Sequence, residues 1–229
     1  MLDYNAGALL TESVTACQTA LTTLQRFGRS ADADDLLTQA ESSTPYSAID
    51  ADTTRTDAWK LQKYAVAYTN VMSTLARQLT AVADLASRKY KIDAETVFGT
   101  RGLPGDPGFL IVSLRDAQDP IEGEYDSIKL QRLLDKAVLN GDDIRAHASV
   151  ESAVTSADAD TVTAFKNAYP DLADATDRLW NVVTKKITTV DVSMVWRFGA
   201  LKPPALQPLQ DYEIAAAAAG QTSVGSWSA

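Results

Sequence analysis

Asp57-Ala-Trp-Lys-Leu-Gln-Lys-Tyr-Ala-Val-Ala-Tyr-Thr-Asn-Val-Met-Ser-Thr-Leu-Ala-Arg-Gln-Leu-Thr-Ala-Val-Ala-Asp-Leu-Ala86 carries the strongest periodicity in the chain. Leu61, Ala65, Tyr68, Met72, Leu75, Leu79, Val82 and Ala86 alternate steps of four and three without a slip, which is a heptad seam. The pattern predicts one helix from about Asp57 to Phe98. At about 1.5 Å per residue it would run roughly 60 Å, far beyond the usual three or four turns. Such a helix has to span a bundle or reach a neighbouring subunit. The expected class is therefore mainly α, a helical bundle built on one long heptad-patterned helix.

Flanking segments agree with a helical body. Leu10, Val14, Cys17, Leu21 and Leu24 form an amphipathic stripe that Gly28 would end, and a second short helix is expected from Ser30 to Ala40 before the break at Ser42-Ser43-Thr44-Pro45. After the long helix, Gly99 to Gly108 reads as a loop, too short to sustain a collagen-like triple helix despite glycine at every third position. Asp106-Pro107 fits an N-cap with proline at the first helical position, which favours helix for Phe109 to Ala117. The run Phe-Leu-Ile-Val-Ser-Leu also fits a buried strand. Beyond Asp119-Pro120 a helical hairpin turns at Asn140-Gly141 and is capped by Asp142 or Asp143. Asp158 or Asp160 caps a further helix that ends at Pro170, and Asp171 caps the last.

The segment Val190-Asp-Val-Ser-Met-Val-Trp-Arg-Phe198 alternates, with Val190, Val192, Met194, Trp196 and Phe198 on one side. It predicts a β-strand, whose only internal partner would be residues 109–117. Lys202 to Pro208 reads as an extended polyproline-type segment, Asp211 to Ala219 as alanine-rich turns, and the Ser/Gly-rich end as a tail. These readings divide the chain into a helical body, 1–188, and a C-terminal strand and extended arm, 189–229. An unpaired strand suggests β-augmentation of another subunit, with Val190, Val192, Met194, Trp196, Phe198 and Trp227 as the interaction residues.

The 229 residues carry a net charge of −9, which argues against a broad basic face for wrapping nucleic acid. Up to Thr54 the only cations are Arg26 and Arg29, against eight carboxylates, so this part is an acidic pole. Arg88, Lys89, Lys91 and Arg101 are candidate phosphate contacts, although cations toward a helix C-terminus also suit its dipole. The single cysteine, Cys17, lies on an apolar stripe with no histidine or basic cluster near it in sequence, and reads as a core thiol. One cysteine also fits a reducing cytoplasm, where assembly is expected. The N-terminus lacks the basic region of a signal peptide, and no apolar run approaches the roughly 20 residues of a membrane span.

Chemistry is sparse. The one histidine, His147, leaves no His-based metal cluster or Cys/His pair and reads as a surface or hydrogen-bonded structural residue. Asp50-Ala-Asp52 opens like a calcium loop, but Thr54, Arg55 and Leu61 stand where a ligand, the turn glycine and the final glutamate belong. Asp32, Asp34, Asp35, Asp142 and Asp143 are best explained as helix caps and dipole partners. Trp59 and Trp180 read as core or inter-helix anchors. No catalytic, metal or cofactor-binding residues are assigned.

Two stretches, Ile49-Asp-Ala-Asp-Thr-Thr-Arg-Thr-Asp-Ala-Trp-Lys60 and Tyr125 to Trp180 with its Asn-Gly-Asp-Asp turn and Tyr-Pro-Asp-Leu break, resemble uncharacterised helical proteins from the structural gene modules of actinobacterial tailed phages. The resemblance brings no catalytic residues with it. It implies a non-enzymatic virion or assembly component, foremost a ring-forming head–tail adaptor that contacts copies of itself and a portal or neighbouring connector. A scaffolding protein is the alternative within that class. A helical regulatory or nucleic-acid-binding protein using the four cations is the alternative outside it.

Overall fold

The heptad-patterned stretch is one α-helix, Asp57–Val97. The structure is a computed structural model that describes residues 4–121, 126–184 and 192–221. In chain order the helices are α1 (Tyr4–Arg26), α2 (Ser30–Ser42), α3 (Tyr46–Ala51), α4 (Asp57–Val97), α5 (Pro107–Gln118), α6 (Ser127–Asn140), α7 (Asp143–Thr155), α8 (Ala159–Ala168), α9 (Ala173–Thr184), α10 (Val192–Ala200) and α11 (Asp211–Ala218). Single 3₁₀ turns occur at Pro170–Leu172 and Pro204–Leu206. The protein is mainly helical, and no strand occurs among the described residues.

Two compact units divide the chain, Met1–Leu85 with Thr189–Ala229, and Ala86–Thr188. In the first, the α4 seam is buried at Ala65, Tyr68, Met72, Leu75 and Leu79, and α1 buries Leu10, Cys17, Leu21 and Leu24, so both predicted stripes face the core. Gly28 ends α1 with φ 68°. This left-handed residue lets the Arg29 amide reach the Leu24 carbonyl at 2.8 Å.

The C-terminal segment does not form the strand that its alternation predicts. Val192 to Phe198 lie in α10, while Val190 is outside the described residues, as is Trp227. The same letters also satisfy a helical period: Met194, Arg197, Phe198 and Leu201 are spaced i, i+3, i+4, i+7. Met194 and Leu201 are buried, whereas Trp196 on the opposite side is 76% exposed. A helix closes its own backbone hydrogen bonds, and a lone strand cannot. Nor do the described residues of the proposed arm extend away from the body. After Pro203 in extended conformation the chain turns through Pro204–Leu206, and α11 packs on α1, burying Leu206, Ile214, Ala215 and Ala217. Arg197 anchors α10 on α2. Its guanidinium donates to both Glu41 carboxylate oxygens at 2.9 Å, to Thr38 Oγ1 at 2.8 Å and to Asp34.

In the second unit α7 is the central helix, packed by α5, α6, α8 and α9. Residues 146–150 are all buried, and the small side chains Ala146, Ala148, Ser149 and Ala153 let the surrounding helices approach closely. Residues 109–117 are helical, as Asp106 and Pro107 predict: Asp106 Oδ1 accepts from the Gly108 and Phe109 amides at 2.9 and 3.2 Å. The hairpin forms at Gly141, with Asp142 capping α7. Asp171 does not cap the last helix. It lies inside a 3₁₀ turn, and α9 begins at Ala173.

The turn after α7 has the same left-handed geometry as Gly141, but its residue is Ala157, with φ 58°. A Cβ in that region costs about 1 kcal/mol, so Ala157→Gly is expected to raise the unfolding free energy by about that amount in urea titration. Removing residues 192–221 uncovers the core residues against which Met194, Leu201, Leu206 and Ile214 pack, each worth about 1.5–3 kcal/mol when fully buried. The truncated chain is expected to lose several kcal/mol, measured as a shift in the chemical-denaturation midpoint.

Candidate functional site

In the second unit the buried ionisable groups, His147 and Asp93, are both structurally committed. His147 is buried, and its Nδ1 lies 3.0 Å from the Gly99 carbonyl. A carbonyl only accepts, so Nδ1 carries the proton in the neutral ring. Phe165 and Tyr169 pack edge-on against the imidazole at 5.9 and 6.0 Å. Burial lowers the His147 pKa, against the opposing influence of the Gly99 hydrogen bond and the Asp143 charge. Asp143 itself accepts from the Tyr169 hydroxyl at 2.9 Å. The histidine thus has the hydrogen-bonded structural role expected of it, tying the start of the glycine loop to α7.

Asp93 is the other buried polar anchor, 4% exposed on the last turns of α4. Arg178 of α9 donates Nε and Nη2 to its two oxygens at 2.7 and 2.9 Å, and Lys89 adds a contact at 3.3 Å. Burial opposes ionisation here, but the two cations overcome it and hold the carboxyl below its ordinary range.

In the first unit Cys17 is fully buried and its thiol is pushed up to about 12 by burial, so a thiolate nucleophile is not formed near neutral pH. The acidic residues near its helix starts are ion-pair partners rather than caps: Asp32 pairs with Arg29 and Asp34 with Arg197, and no side chain caps α2. Asp52 accepts from the Thr54 amide and hydroxyl at 3.0 and 2.6 Å, a turn that leaves no calcium-loop geometry. Among the described residues no group of His, Cys, Asp and Glu could hold a metal ion, and no helix is long and apolar enough to cross a membrane.

The candidate phosphate contacts do not act as one set of available charges. Lys89 is engaged with Asp93, and Arg101 donates to Glu95 at 3.0 Å, which leaves Arg88 and Lys91 as exposed cations on α4. The candidate interaction residues are also dispersed. Met194 is buried, Phe198 half-buried and Trp196 exposed, as their positions around one helix require. Trp59 lies half-buried beneath the cations of Arg55 and Lys63, at 5.3 and 5.4 Å, and Trp180 packs against the second unit's core.

The outer face of α5 is not among the sequence-predicted sites. Phe109, Ile111 and Val112 are 77%, 62% and 58% exposed, whereas Leu114 and Ala117 on the inner side pack with Ile121, Leu130 and Ala148. The signal was present: a helix with one buried side cannot cover five apolar residues among the six consecutive positions from Phe109 to Leu114. Neighbouring large apolar side chains exposed on one helix mark an interaction surface. No family model, curated protein or solved structure matches the chain.

The buried histidine makes stability depend on pH. Its folded pKa lies below the unfolded value of about 6.5, so the unfolded chain takes up the proton first and stability falls as pH drops below about 6.5. His147→Gln is expected to flatten this slope between pH 7 and 5, measured by urea midpoints at each pH.

Proposed function

We propose that this chain is a non-enzymatic structural or assembly protein of a tailed-phage virion, acting as a ring-forming head–tail adaptor. The resemblance of the Ile49 to Lys60 and Tyr125 to Trp180 stretches supports the phage setting. The observation that carries the assembly role is the outer face of α5, where Phe109, Ile111 and Val112 stand in solvent on an otherwise well-packed helix. Its partners are further copies of the chain and a portal or neighbouring connector.

The contact does not run through β-augmentation, because α10 is helical and the described part of the C-terminal segment is bound within its own unit. The seam of the long helix is likewise buried in the chain itself, which removes the heptad argument for a scaffolding protein. With Lys89 and Arg101 paired to carboxylates, a nucleic-acid role is the weaker reading.

Native mass spectrometry of the full chain, alone and mixed with portal or connector protein, tests the proposal. A closed oligomer of defined copy number is expected, and Phe109→Asp should dissociate it while leaving the helical circular dichroism unchanged. A single chain in every mixture would exclude the adaptor role.

A further inference from the structure

A second surface feature carries charges complementary to those of the α5 face. On the first unit α1 and α4 border an open groove of about 520 Å³. Its apolar lining is Leu9, 57% exposed, with Ala16, Ala76 and Ala81, whose short side chains leave room for another helix. Glu12, Arg77 and Asp84 stand on its borders, and none of the three forms an ion pair among the described residues. The outer face of α5 carries Arg115 and Asp116 one turn beyond Ile111 and Val112, and these charges are likewise exposed without an ion pair among the described residues.

We infer that the groove between α1 and α4 receives the outer face of α5 from a second copy of this chain. The inference rests on the assembly reading and specifies its contact. The lengths allow it: Phe109 to Asp116 spans about 10 Å of helix and fits within the α4 wall from Ser73 to Asp84, about 16 Å long at 1.5 Å per residue. The charges agree. Arg115 meets Glu12 or Asp84, Asp116 meets Arg77, and the apolar first turn of α5 covers Leu9 and the alanines. An amphipathic helix laid in a groove is a recurrent recognition mode, with apolar anchors giving affinity and border charges giving register. The donor face belongs to the second unit and the acceptor groove to the first. The contact is therefore heterologous, and heterologous contacts repeat head to tail and close into rings when the rotation allows.

The decisive experiment is a charge exchange in the full chain, read by native mass spectrometry and sedimentation. Arg77→Asp alone and Asp116→Arg alone are each expected to weaken self-association about tenfold, and the double variant to recover the parent's behaviour. Both residues are exposed, so thermal unfolding should stay unchanged and serves as the folding control. If the parent assembles but the single exchanges have no effect, or the double variant fails to recover, this docking is overturned while the adaptor reading stands. A parent that forms no homo-oligomer, alone or with the portal partner, overturns both.

Discussion

Burial of the α4 seam is the constraint on which everything else depends. At 41 residues the helix is roughly 60 Å long, and no isolated helix of its mixed composition would hold that length in water without packing along its apolar side. The chain meets the requirement with two cores. Ala65 to Leu79 are covered in the first unit, whereas Asp93 and Val97 are covered in the second. The change of core is accompanied by a change in chemistry. The first-unit seam is apolar or aromatic throughout, but the last turns of α4 place a carboxylate inside, where only the paired oxygens of Asp93 against the Arg178 fork make burial tolerable.

The first unit is closed by residues from the far end of the chain. Its N-terminal half is the acidic pole, and Arg197 supplies the positive charge that this half lacks, reaching Asp34, Thr38 and Glu41 from one guanidinium. The adjoining residues Met194, Leu201, Leu206 and Ile214 add the apolar burial. A segment so held is part of the core, and exposed apolar surface lies elsewhere, on the outer side of α5 and along the groove between α1 and α4. Both are helical surfaces with apolar side chains that the described residues leave exposed, the feature on which the proposed assembly role rests.

The second unit is arranged around α7, whose small side chains let neighbours close in while His147 ties down the glycine loop. Its buried titratable groups serve packing. A neutral imidazole packs against Phe165 and Tyr169, and the Asp93 carboxylate is held by Arg178.

The sequence by itself determined the long helix to within a residue at each end, the stops at Gly28 and Gly141, the Asp106-Pro107 start of α5 and the buried character of Cys17 and most of the seam. These features are local: a cap, a left-handed glycine or an unbroken 3.5-residue period acts through neighbours along the chain. The tertiary structure alone decided α10. A nine-residue run that satisfies periods of two and 3.6 equally cannot choose between them, and the choice fell to α2, where Glu41 and Asp34 wait for Arg197, 156 and 163 residues away in sequence. It also decided which acidic residues are caps and which are ion-pair partners, and which side of α5 is left in water. Each of those depends on what a distant segment covers, and local periodicity carries no record of that.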